Sequence, residues 1–233
     1  MAQVTSTSRD KINIAIDGPA GAGKSTIARK VAGKLSYIYV DTGAMYRAAT
    51  WYCLKFGIEP EKEEDVLQMV SDLVIELIPG IDGQRVLVNG HEVTEEIRSL
   101  AVNAKVSRYA QIEGLRNKLV SFQQQMALRK GVVMDGRDIG TTVLPDAEVK
   151  IFMTASVEER AHRRYKEMKE QGEISLEQLM QDIAERDRQD EQREISPLRK
   201  AEDAILLDTT NMTIDEVVEA IVSQCRTIER ERI

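Results

Sequence analysis

Apolar residues fall in short, nearly unbroken runs separated by stretches of helical period. The runs Ile12–Ile16, Tyr37–Val40, Val132–Met134, Val149–Met153 and Ile205–Leu207 read as strands. Runs without polar alternation are expected of strands buried on both faces, and strands alternating with helices mark a parallel sheet. One helix is expected after Thr26, where Ile27, Val31 and Leu35 recur at helical spacing. Another is expected from about Ile112 to Arg129, with Ile112, Leu115, Leu119, Phe122 and Met126 on one stripe. Capping signatures open three more: Ser156 with Glu159, Ser175 with Gln178, and Thr213 with Glu216. The last of these carries Ile214, Val217, Val218, Ile221 and Val222 as one apolar face.

The segment from Leu73 to Val93 breaks this rhythm. Leu73–Ile78, a turn at Asp82-Gly83, Arg85–Val88, a turn at Asn89-Gly90 and His91–Val93 predict a small antiparallel insert. The acidic stretch Glu59–Asp65 before it reads as a loop and an exposed helix start. Trp51, Tyr52 and Phe56 are expected to pack their helix into the core, and His91 and His162 to face solvent. The fold class is therefore α/β, three-layered, with about five parallel strands plus that insert.

Composition narrows the class. A chain of 233 residues is one domain, or one with an insertion. Net charge is −7, which argues against a nucleic-acid polymer as partner, because such proteins present a basic face. Cys53 and Cys225 are far apart and have no metal-ligand spacing, so both read as reduced core thiols of a cytoplasmic protein. Residues 1–11 are polar and predict a disordered lead rather than a signal peptide or anchor. No apolar run approaches the roughly 18 residues of a membrane span. No exposed apolar stripe is evident, and a monomer is expected.

The chemistry starts directly after the first strand. Gly18, Pro19, Ala20, Gly21, Ala22, Gly23, Lys24 and Ser25 match G-x-x-x-x-G-K-S, with strand before and helix after, which is the context a phosphate-binding P-loop requires. Glycines let successive N–H groups point at an anion, and the helix beginning near Thr26 adds its positive end. Lys24 would reach the β- and γ-phosphates of ATP, and Ser25 would place its hydroxyl on Mg2+. Asp135, an acid closing the strand Val132–Met134, stands where a metal-ordering carboxylate is expected.

Three further clusters lie at strand ends or on helices. Asp41-Thr42-Gly-Ala-Met-Tyr46-Arg47 follows the second strand; Thr42 can meet a phosphate or cap the next helix, and Arg47 can reach an anion in front of it. Asp135-Gly-Arg137-Asp138-Ile-Gly140 brings Arg137 and Asp138 to the mouth of the same sheet edge. A basic group spans two helices, with Arg160, Arg163 and Arg164 on the first and Arg186, Arg188 and Arg193 on the second. Arg186, Asp190 and Arg193 share one helical face. Arg163 and Arg188 read as ion-paired surface, while Arg186 and Arg193 suit phosphate recognition.

From Ile12 to about Cys225 the chain resembles the bacterial cytidylate kinases. The resemblance is carried by Ile16–Ser25, Asp41–Arg47, Asp135–Gly140, Glu158–Arg164 and Glu185–Asp190, and by the insert. The first motif is common to many kinases and ATPases; the second and third together are specific. The resemblance implies a P-loop kinase fold forming a single domain, with a monophosphate-binding part over about 42–110 and a lid over about 157–175. It implies phosphoryl transfer from MgATP to CMP or dCMP. Thr42, Arg47, Arg137 and Arg193 would hold the acceptor phosphate, beside Tyr46. The family often has serine where Thr42 stands, which keeps the hydroxyl. Asp190 would bond the ribose; Ser107, Arg116 and Asp138 would read cytosine. Arg186 would bridge the phosphates, and Arg160 and Arg164 would close over ATP.

The base reading is chemically sensible. Asp138 suits the cytosine N4 amino donor and Arg116 its acceptors, whereas uracil would set an acceptor against Asp138. By spacing alone Ser107 and Arg116 read as surface residues. Rivals are a kinase for UMP or AMP, and a P-loop switch. The switch lacks its guanine-reading motif, since Asn117-Lys-Leu-Val120 has no aspartate, and it lacks a D-x-x-G element.

Overall fold

The computed structural model describes residues 11–80, 83–168 and 175–231. Its elements are β1 (Asn13–Asp17), α1 (Lys24–Leu35), β2 (Ile38–Asp41), α2 (Thr42–Lys55), α3 (Glu63–Val70), β3 (Ile75–Ile78), β4 (Arg85–Val88) and β5 (His91–Glu92). They continue with α4 (Leu100–Tyr109), α5 (Glu113–Ala127), β6 (Val132–Gly136), β7 (Val149–Thr154), α6 (Val157–Met168), α7 (Leu176–Gln192), β8 (Ile205–Asp208) and α8 (Ile214–Glu231). The described residues fall into two compact units, one within Met1–Tyr39 and Met126–Ile233, the other Val40–Gln125. The disordered lead expected over residues 1–11 lies outside the described residues apart from Lys11, as does the 169–174 part of the expected lid.

In the first unit the expected strands form one sheet in the order β2-β6-β1-β7-β8. β1 runs parallel to β6 and β7, and β7 parallel to β8. β1 is central and all five of its residues are buried. Ile14 and Ile16 share a core with Ile27 and Val31 of α1, and with Val217, Val218, Ile221 and Val222 of α8. The last helix thus buries the predicted stripe, except that Ile214 in its first turn is 49% exposed. β8 also departs from expectation. It is an edge strand, so Ile205 and Leu206 are exposed instead of covered.

Of the three capping signatures, one closes fully. The Glu216 amide donates to Thr213 Oγ1 at 3.3 Å and the Thr213 amide to Glu216 Oε2 at 2.8 Å. Ser156 and Ser175 accept from Glu159 and Gln178 amides, but those side chains turn to Arg163 and Asp182 instead.

The second unit holds α2, α3, α4, most of α5 and the antiparallel sheet β3-β4-β5. The turn between β4 and β5 is the two-residue kind that Asn-Gly predicts, with positive φ at Asn89 (49°) and Gly90 (78°). Asp82 lies outside the described residues. The small residues Ala44, Ala48 and Ala49 form the buried face of α2 together with Met45 and Cys53. Of the three aromatic residues expected to pack this helix, Trp51 and Tyr52 are half-buried, while Phe56 is 56% exposed and stacks edge-on against Tyr52. Cys53 and Cys225 are buried free thiols, and burial pushes their pKa values up to about 11 and about 12. His91 and His162 are exposed, as expected.

Candidate active site

β1 delivers the chain to the glycine-rich loop. Gly18 is obligatory there: a Cβ would lie 2.1 Å from the Met153 carbonyl of β7. Gly23 is the N-cap of α1 with φ of 82°, and no side chain caps that end. The first amides of α1 are therefore left without a side-chain acceptor, the arrangement that accepts a phosphate. Lys24 is 5% exposed and donates from Nζ to the Pro19 carbonyl at 2.7 Å, folding over the loop. Burial, reinforced by Arg137, lowers its pKa to about 7, against the pull of Asp135, Asp17 and Asp190.

Parallel register places Asp135 level with Ile16. From there its Oδ2 accepts the Ser25 hydroxyl at 2.8 Å and its Oδ1 the Tyr39 hydroxyl at 2.9 Å. A hydroxyl and a carboxylate in contact are hard oxygen donors. Two protein ligands, the remainder being water and phosphate oxygens, is how Mg2+ is usually held. Among the described residues no group of three or more His, Cys, Asp or Glu forms a self-sufficient metal cage.

The loop after β6 carries the charged side chains. Arg137 donates from Nε to Asp190 Oδ2 at 2.7 Å, and Arg193 lies 3.5 Å from Asp138. Burial works against the Asp190 carboxylate, but Arg137 and Arg186 outweigh it and hold its pKa below the ordinary value. Burial likewise works against charge on Arg137, which Asp190, Asp187 and Asp135 more than offset. Arg186 is half-buried on α7, one turn before Asp190. Arg193 is not on the helical face predicted for it: α7 ends at Gln192, and Arg193 is the C-cap with extended backbone, its Nε donating to the Ser196 carbonyl.

The basic residues on α6 sort differently from expectation. Arg160, placed over ATP by resemblance, is 5% exposed and engaged on the loop itself. It donates to the Ala155 carbonyl at 2.9 Å, the Ala20 carbonyl at 2.8 Å and Asp187 Oδ2 at 2.5 Å. Asp187 Oδ1 in turn accepts the Ala20 amide at 3.1 Å. The pair thus grips both backbone groups of Ala20. Arg163, expected at the surface, donates to the Thr209 carbonyl at 2.7 Å and reaches Ala22 O at 3.5 Å. Arg164 is exposed on α6, and Arg188 forms the expected surface pair with Glu185. Nothing in the spacing singled out Asp187, because its partners come from α6 and the loop. Removing one member of a buried ion pair typically costs about 3–5 kcal/mol. Asp187→Ala is expected to destabilise by that order in denaturant unfolding, and Asp187→Asn by less, since its carbonyl still accepts from Ala20.

In the second unit Asp41 rather than Thr42 caps α2, accepting the Ala44 amide at 2.7 Å. Its other oxygen accepts from Arg47 Nη2 at 3.1 Å. Gly43 leaves room for that return, since a Cβ there would meet Arg47 Nη1 at 3.0 Å. Thr42 is buried in the first turn. Arg116 is no surface residue: it is 2% exposed, donates to the Ala110 carbonyl at 3.0 Å and stacks 5.4 Å from the Tyr46 ring centroid. A buried arginine is affordable only with such partners. Ser107 is half-buried on α4.

A family model described as cytidylate kinase matches residues 14–227. A protein named cytidylate kinase from Bacillus velezensis is 55% identical over 213 residues, covering 91% of this chain and 95% of its own. One of the same name from Bacillus subtilis is 54% identical with the same coverage. A solved structure of an uncharacterized protein from Eubacterium ventriosum matches with a TM-score of 0.50 at 12% identity, covering 93% of this chain and 99% of that one, a likeness of fold alone. Among the described residues no helix is long and apolar enough to cross a membrane.

Proposed function

Because this chain belongs to the cytidylate kinase family, we propose that it transfers the γ-phosphoryl group of ATP to CMP or dCMP, with Mg2+. The observation that carries this reading is the first unit's pairing of a phosphate loop, closed by Lys24 and Ser25–Asp135, with a loop presenting Arg137 and Asp138. The uncapped start of α1 and Lys24 would hold the donor's phosphates, with Thr26 in the same first turn. Ser25 and Asp135 would hold Mg2+, which neutralises phosphate charge when bound. The acceptor oxygen is already anionic, so no general base is needed; positioning and charge neutralisation carry the rate.

Arg137 uses Nε for Asp190, which leaves its two terminal nitrogens for the acceptor phosphate, joined by Arg193. Asp190 would bond the ribose. On the family's pattern Thr42 and Arg47 would hold an acceptor phosphate, and Ser107 and Arg116 would read the base. The rigid seating of Arg116 on Tyr46 and Ala110 supports a reading role, since a specificity group must be held in place. Arg164 would reach over ATP. The enzyme would act as a monomer in the cytoplasm.

Steady-state turnover with CMP, dCMP, UMP and AMP under MgATP tests the reading. CMP and dCMP should lead clearly; leading rates with UMP or AMP would reassign the acceptor, and no turnover would remove the kinase reading. Asp138→Ala and Arg116→Met should raise KM for CMP with little change in kcat. They should narrow the CMP-to-UMP preference by on the order of 10²-fold or more, as for sites that hydrogen-bond the discriminating group.

A further inference from the structure

Asp17 closes β1 directly before the phosphate loop and is 4% exposed. Among the described residues its hydrogen-bond partners are backbone amides: Oδ1 accepts from Ile139 and Oδ2 from Gly140, each at 2.7 Å. Those amides open the single turn Ile139–Val143, whose preceding residue Asp138 provides no side-chain cap. The first N–H groups of a helical turn have no intrahelical acceptor, and a carboxylate from the adjacent strand takes both. The fit is close, since a Cβ on Gly140 would lie 3.3 Å from Asp17 Oδ2 and 3.2 Å from Lys150 Cδ.

This is a costly way to cap one turn. Burial pushes the Asp17 pKa up to about 6, relieved by the Gly140 and Ile139 amides and by Lys24, and raised further by Asp138. A neutral serine or asparagine caps helices well without burying a charge. What the carboxylate adds is a grip on two successive amides at once, immediately after Arg137 and Asp138. Those two side chains are also held from beyond, by Asp190 and Arg193 respectively. Asp17 thus holds the backbone directly after Arg137 and Asp138 through both amides that open the turn.

We propose that Asp17 is a positioning residue for base selection: by holding the Ile139 and Gly140 amides it sets where Asp138 stands, and so how strictly cytosine is told from uracil. The proposal rests on the reading of Asp138 given above. Asp17 itself meets no substrate.

Asp17→Asn keeps the volume and can accept one amide instead of two. At pH 8, where wild-type Asp17 is ionised, the ratio of kcat/KM for CMP over UMP should fall on the order of 10-fold, the worth of one charge-assisted hydrogen bond. In an Asp138→Ala background the same change should leave the ratio where Asp138→Ala alone puts it. Gly140→Ala keeps the carboxylate but displaces the turn; it should reproduce the loss, and it serves in place of Asp17→Asn if that variant does not fold. Hydrogen exchange at Ile139 and Gly140 should accelerate in Asp17→Asn. That measurement needs no activity, so it judges the grip even if the wild type prefers another nucleotide, which would defeat the functional reading instead. Unchanged exchange overturns the proposal. So does a selectivity ratio within about twofold of wild type, an equal fall for both nucleotides, or additivity with Asp138→Ala.

Discussion

Arg186→Ala is expected to lower kcat for CMP by on the order of 10³–10⁵-fold while leaving the fold intact, as removal of an arginine from a transferring phosphoryl group does in related chemistry. The transition state spreads negative charge over the equatorial oxygens of the moving group, and little covalent work is left for the protein. Arg186 is half-buried one turn before Asp190 and lowers the Asp190 pKa, so its charge already acts on that end of the site. An interaction made chiefly in the transition state lowers kcat and kcat/KM together, with KM little changed. Arg186→Lys should recover only part of the loss, because an ammonium lacks the planar fork that meets two oxygens. A coupled assay at saturating MgATP and CMP measures both variants. Turnover within a few-fold of wild type would take Arg186 out of the transfer step, and loss appearing only in KM would move it to ground-state binding.

The donor half of this molecule is legible in the sequence because its parts are consecutive. Strand, glycine loop and helix follow one another from Asn13 to Leu35, so eight residues and their flanks specify a local structure without tertiary knowledge. The small hairpin is legible for the same reason, since Asn89-Gly90 dictates its own turn. Asp135 was recognisable as an acid ending an apolar strand. Asp17 likewise follows an apolar run, one register step beyond Asp135 on the neighbouring strand, and the same signal would have found it. Its use, however, depends on Ile139 and Gly140, which are far away in sequence. Arg160 and Asp187 show the limit more sharply. A helix pattern reports that each is polar and on a face, but their common target, Ala20, becomes visible only when α6 and α7 are packed. Arg116 shows the opposite error: a charged residue reads as exposed until an aromatic ring and a carbonyl are found to receive it. Motifs thus mark which residues bear chemistry, whereas burial and long-range pairing decide which of them hold the others in place.

Lys24→Ala should reduce kcat by at least on the order of 10²–10³-fold, the loss seen when a preorganised donor to developing charge is removed. It should also abolish a proton linkage expected of the wild type. With its pKa lowered to about 7 by burial and by Arg137, Lys24 is largely neutral in the nucleotide-free protein at pH 8. A triphosphate against Nζ favours the ammonium, which raises that pKa on binding. Binding of ATP therefore takes up a proton above pH 7, and affinity falls as pH rises through 7 to 8.5. At pH 6 the lysine is already charged, so uptake from this source vanishes. Asp17 titrates at about 6, which makes the window above pH 7 the clean one. Calorimetry in buffers of different ionisation enthalpy measures the uptake directly. The wild type should absorb a fraction of a proton that grows from pH 7 toward 8.5, and Lys24→Ala should absorb none there. If the variant keeps the uptake, another group titrates on binding, and the buried lysine is charged throughout.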